Sequence, residues 1–162
     1  MTVELTSWPG GAWPTLAWTA VVVAYAALST VWVGHDPGWY DALERPSFQP
    51  PDLVFGLIWP LNFAALLAVG VWFTRVVEPA DSWPAWVVLV ASVAGALAWA
   101  WAFYVPHRLG LAALCLAVAS LLTWLLLVLV ARSIPWAAAC LTPYAAWLST
   151  AAALSVQYAR LN

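Results

Sequence analysis

Charged residues punctuate this chain, and between them lie long apolar stretches. Residues 12–34, 53–74, 83–105, 109–131 and 135–158 contain no Asp, Glu, Lys or Arg. An α-helix rises about 1.5 Å per residue, so about 20 apolar residues cross the hydrocarbon core of a bilayer. Each stretch reaches that length, and the pattern predicts five transmembrane helices over those residues. The fold class expected is all-α, an integral membrane bundle of five transmembrane helices forming one domain, residues 1–162.

The segments between the runs carry turn chemistry. Gly34-His35-Asp36-Pro37-Gly38 ends the first run, Glu78-Pro79-Ala80-Asp81-Ser82 separates the second from the third, and Pro106-His107-Arg108 the third from the fourth. Arg132-Ser133-Ile134-Pro135 closes the fourth run, with Pro135 suited to a helix start. Only the first connection, residues 34–52, is long, and loops of that size are commonly functional lids. The first run is too long for a secretory signal, and Glu4 stands where a basic n-region belongs.

Composition sharpens this picture. Of 162 residues, 65% are hydrophobic and 7% charged, too few charges to cover a soluble core of this size. Five Lys+Arg against seven Asp+Glu leave a net charge of −2, which gives no basic footprint for nucleic acid. A disulfide scaffold and a disordered tail are excluded on the same grounds. The positive charges are all arginine: Arg75 and Arg132 on the N-terminal side of the bundle, Arg45, Arg108 and Arg160 on the other. That split barely engages the positive-inside rule, so orientation stays open while the long loop falls on the C-terminal side.

No ionisable residue lies within the runs, although ion-coupled transporters place such groups there. His35 and His107 fall in loops, and no His or carboxylate shares the depth of a helical Ser or Thr. Conventional hydrolase, kinase and proton-coupled transport readings fall. Cys115 and Cys140 sit mid-helix without further ligands, so they read as packing residues and no metal site is expected.

Tryptophan is the outlier, at 14 residues. Trp8, Trp13, Trp39, Trp83 and Trp136 fall near the ends of runs, where indole anchors at headgroup depth. Trp59, Trp99, Trp101, Trp124 and Trp147 fall deep within runs. Such residues either fill space or line a pocket for a flat, largely apolar ligand, because indole stacks on aromatic systems and its N–H orients a polar edge. Pro60 follows Trp59, and Pro143 precedes Trp147 by four residues, each freeing backbone beside a deep indole. In the third run Ala91 with Gly95, and Ala94 with Ala98, make small-residue faces for internal packing or a homodimer.

The long loop reads Trp39-Tyr40-Asp41-Ala42-Leu43-Glu44-Arg45-Pro46-Ser47-Phe48-Gln49-Pro50-Pro51, followed by Phe55 and Ile58-Trp59. Pro143-Tyr144-Ala145-Ala146-Trp147 and the closing Arg160-Leu161-Asn162 add two further motifs. Together they resemble the translocator protein family, also called tryptophan-rich sensory proteins or peripheral-type benzodiazepine receptors. The resemblance implies a five-helix bundle, commonly a homodimer, in a bacterial cell membrane. Its pocket is closed by the first loop and takes porphyrins and haem-pathway intermediates, sterols or synthetic aromatic compounds. It implies ligand-binding roles for Tyr40, Trp59, Phe63, Trp99, Trp147 and Ala151, and a lid built on Trp39, Pro46, Pro50 and Pro51. No cofactor is required beyond the porphyrin or haem-pathway intermediate bound as ligand.

Two departures stand out. Phe48 replaces the family's usual loop Trp, and Ala96 replaces a polar Asn, leaving Asn62 as a substitute ligand contact or an interhelical hydrogen-bonding residue. Val156-Gln157-Tyr158-Ala159-Arg160 meets the loose sterol-recognition pattern, which an interfacial Tyr with a snorkelling Arg would also produce. The absence of lysine and the abundance of Ala and Val point to a GC-rich bacterial gene, which argues against sterol as natural ligand. Three functions remain in view: a receptor or carrier of porphyrin-like molecules, a light- and oxygen-dependent porphyrin-degrading enzyme using Trp59 and Trp147, and a structural scaffold in a membrane complex.

Overall fold

A computed structural model describes residues 11–162. Its described residues form six helices: α1 (Trp13–Trp32), α2 (Pro37–Ala42), α3 (Asp52–Val76), α4 (Pro79–Tyr104), α5 (Leu109–Ala131) and α6 (Pro135–Leu161). All but α2 are long and apolar enough to cross a membrane. In lipid every backbone polar group must be satisfied internally, which makes the helix the available solution for runs like these.

Proline shapes the helix starts. α1, α2, α4 and α6 each carry Pro in the first two helical positions, where its missing N–H costs nothing. This corrects two expectations. Residues 79–82 read as turn but form the first turn of α4, begun by Pro79. Residues 34–52 read as a continuous loop but contain α2, whose N-cap Asp36 accepts a hydrogen bond from Trp39 N at 3.1 Å.

The five long helices close into a ring in the order α1, α3, α6, α5, α4. The α4–α5–α6 side is the densest, because small residues let the backbones approach. A Cβ added at Gly95 would stand 3.2 Å from Ala119 Cβ and 3.3 Å from the Cys115 carbonyl oxygen. Thus Gly95 serves internal packing, whereas its stripe partner Ala91 and Ala94 of the second stripe are exposed. Short hydroxyls tie the same helices together: Ser92 to Thr123 at 2.8 Å and Ser120 to Ser149 at 3.0 Å. Each such bond is worth about 0.6 kcal/mol in a membrane.

Toward the N-terminal end of the bundle, Trp18 is fully buried between α1, α3 and α4. Its Nε1 donates to the Leu66 carbonyl oxygen at 3.0 Å, and its ring packs on Phe73 and edge-on to Trp86. Gly70 gives it room, since a Cβ there would fall 2.0 Å from the indole. Thr15 and Thr74 share a 2.7 Å hydrogen bond in the same region.

A candidate ligand cavity under the α2 loop

The opposite end of the bundle is not filled. A cavity of about 660 Å³ lies among α1, α2, α3, α4 and α6; α5 contributes nothing to its wall. Cavities of about 300–1,000 Å³ with mostly apolar walls are typical small-molecule sites. Tyr40, Trp59, Phe63, Trp99, Trp147 and Ala151 all line this one.

Each position follows from local structure. On α3, Phe55, Trp59 and Phe63 recur every four residues and so share a face. Trp59 stacks on Phe63 with centroids 5.9 Å apart, and Phe55 meets Trp147 edge-on at 5.3 Å. Exposed Pro60 also lines the cavity, within α3 beside Trp59. Trp147 and Ala151 sit one turn apart on buried α6 positions. Trp99 donates through Nε1 to Ser155 Oγ at 3.2 Å, which fixes its ring across the α4–α6 wall.

Over the mouth lies the α2 loop, held at several points. Tyr40 reaches into the cavity wall, and the Tyr158 hydroxyl stands 3.4 Å from the Tyr40 hydroxyl while donating to Gln49 Oε1. Arg45 pairs with Asp41 at 3.1 Å, its guanidinium 5.7 Å from the Tyr40 ring centre. Asn162 fastens the loop directly. Asn162 Oδ1 accepts from Glu44 N at 2.9 Å and Nδ2 donates to the Glu44 carbonyl at 3.3 Å.

The four residues expected to form the lid sit differently from the cavity wall. Trp39 stacks on His107 at 3.9 Å and meets Phe103 edge-on, joining α2 to the turn between α4 and α5. Pro46, Pro50 and Pro51 line a separate surface depression with Arg45 and Asp52. They shape the loop; the residues of 34–52 that line the cavity are Gly34, Pro37, Tyr40, Asp41, Gln49 and Asp52.

The deep tryptophans divide. Trp59, Trp99 and Trp147 face the cavity, whereas Trp101 and Trp124 are 43% and 39% exposed on the outside of the bundle. Depth along a run does not reveal which way an indole points around the helix. Trp13, Trp83 and Trp136 are exposed near helix ends as anchors should be, and Trp8 lies outside the described residues. Ala96 lines the wall, whereas Asn62 is buried away from it and so supplies no polar group to the cavity. Tyr158 of the sterol-like pattern points inward to Gln49, so that pattern presents no interfacial tyrosine.

Sequence reasoning passed over Tyr25, Phe103, Gln49 and Tyr158 as wall residues. Tyr25 is the one tyrosine in a run rich in Ala, Val and Trp, and nothing in that pattern marks it.

The loop motif and the α6 motif both lie within a stretch that matches a known protein family. The TspO/MBR family model matches residues 14–161. The chain belongs to the TspO/MBR family. A similar relative is the tryptophan-rich protein TspO of Bacillus cereus, 46% identical over 44 residues, 27% of this chain and 28% of that protein. The aligned part thus spans just over a quarter of the curated relative. Family membership and five apolar spanning helices make this an integral membrane protein, and the bacterial relative supports a bacterial membrane as its location.

Proposed function

We propose that this TspO/MBR protein is a membrane receptor or carrier for porphyrin-type tetrapyrroles and related flat apolar molecules, bound in the cavity beneath the α2 loop. The observation that carries this reading is the convergence of Trp59, Trp99 and Trp147 from three helices on one cavity of about 660 Å³. Indole faces stack on flat π-systems, and aromatic anchors of this kind dominate binding energy. A loop fastened by side-chain contacts rather than by the helical ladder is a door that opens without disturbing the bundle.

The test is titration of the purified protein with protoporphyrin, followed by porphyrin absorption and tryptophan fluorescence. Saturable binding is expected, with Kd raised about tenfold by Trp59→Phe or Trp147→Phe, the loss of about 1.4 kcal/mol from an anchor. Non-saturable quenching, or titrations unchanged in both variants, would refute the reading.

Degradation of the ligand is a second reading, favoured by the three oxidisable indoles of the cavity wall, Trp59, Trp99 and Trp147. Under light and oxygen it requires the bound porphyrin to bleach faster than free porphyrin in detergent and to give a new product. Bleaching equal to the free ligand leaves binding as the function.

A further inference from the structure

A proline inside a helix removes one rung of the hydrogen-bond ladder, because it has no N–H to offer the carbonyl four residues earlier. Among the described residues, Pro60 stands inside α3, Pro84 inside α4 and Pro143 inside α6. The four-residue rule makes the released carbonyls those of Gly56, Ala80 and Ala139. Pro84, Pro143, Ala80 and Ala139 lie outside the cavity wall. At Pro60 the situation differs, since both ends of the missing bond, Gly56 and Pro60, belong to the wall.

The residue type at position 56 adds to this. A glycine has no side chain, so it lines a cavity with its backbone. A Cβ built on Gly56 would meet nothing within 4 Å, which leaves the space beside that backbone open. Neighbouring donors are engaged elsewhere. Ser29 and Thr30 line the same cavity from α1, which packs beside α3. Ser29 Oγ donates to the Ala26 carbonyl and Thr30 Oγ1 to the Ala27 carbonyl, both at 2.8 Å. Trp99 donates its N–H to Ser155. The α1–α3 side of the wall therefore presents acceptors: one carbonyl released from its helix and two hydroxyl oxygens whose protons are directed back into α1. A flat ligand seated there strips water from the carbonyl, and it loses affinity unless a donor of its own replaces that bond.

We infer that the Gly56 carbonyl, released by Pro60, is a specificity-determining acceptor of the cavity. It selects flat ligands carrying an N–H or O–H on the edge that meets α3. This rests on the ligand-binding reading above and adds the polarity of one ligand edge. The competing account gives Pro60 a shaping role alone, bending α3 beside the cavity with no bond to the ligand.

Calorimetric titration of the full chain in bicelles with carbazole and dibenzofuran separates these accounts. The two are flat tricycles of nearly the same shape, one with an edge N–H and the other with an ether oxygen in its place. Carbazole is expected to bind the native protein about threefold to tenfold more tightly, the worth of one hydrogen bond. Pro60→Ala restores an N–H at this position and returns the Gly56 oxygen to the helical ladder, and alanine favours the helix. Carbazole should lose its advantage in that variant while dibenzofuran binds as before. Equal native affinities, or a carbazole preference that survives Pro60→Ala, overturns the inference. An equal loss of both probes in Pro60→Ala also overturns it, being the result that a purely shaping proline produces. Saturable protoporphyrin binding with neither probe bound overturns this inference alone. Failure of protoporphyrin with the carbazole preference intact overturns the tetrapyrrole reading and leaves the acceptor standing.

Discussion

Trp18 and Trp147 are both buried indoles in one small bundle, yet they occupy opposite kinds of environment. Trp18 has its N–H bonded to Leu66, its ring packed on two aromatics and its space reserved by Gly70. Trp147 has an unpartnered N–H and faces a cavity. A tryptophan whose polar edge is satisfied within the protein supports the fold. One whose ring lines a cavity, as Trp147 does, is the kind on which the proposed ligand binding relies.

The contrast can be broken in order of effect. Trp18→Ala should cost about 3–5 kcal/mol, as for other buried aromatics truncated to alanine, measured by unfolding in mixed micelles. Gly70→Ala should cost about 1–3 kcal/mol by overpacking against the same ring. Trp147→Phe should change stability by less than about 1.5 kcal/mol while weakening porphyrin, and a stability loss equal to that of Trp18→Ala would erase the distinction. Asn162→Ala removes both side-chain bonds to Glu44, so about 1 kcal/mol of loop fastening should disappear and bound porphyrin should leave faster in stopped-flow chase. Smallest of all, Ser92→Ala should cost about 0.6 kcal/mol and leave ligand affinity alone, because Ser92 lies in the dense α4–α5 seam away from the cavity.

The five spans were legible because charge exclusion over bilayer length is a one-dimensional signal. Helix α2 was not, since a six-residue turn of helix capped by Asp36 has the same Gly, Pro and Asp content as a loop. Pro79 is ambiguous for a related reason: a proline beside Glu78 marks a break, and only the backbone shows that the helix begins with it. Motif resemblance named Tyr40, Trp59, Phe63, Trp99, Trp147 and Ala151, all of which line the cavity. Counting deep tryptophans did worse, because Trp101 lies two residues from Trp99 on the helix and so points to the other side. Tyr25 and Gln49 were invisible in sequence, their importance arising from what packs, or fails to pack, against them from other helices.

Flat ligands, on this account, enter the space beneath α2 rather than coat the exposed tryptophans of the bundle surface. An experimentally determined structure of the protein with protoporphyrin tests this most directly. The expected result is flat density between Trp59, Trp99 and Trp147, enclosed by Tyr40 of the loop. Density against the outward-facing Trp101, Trp124 or Trp136, with the cavity left unfilled, would contradict it.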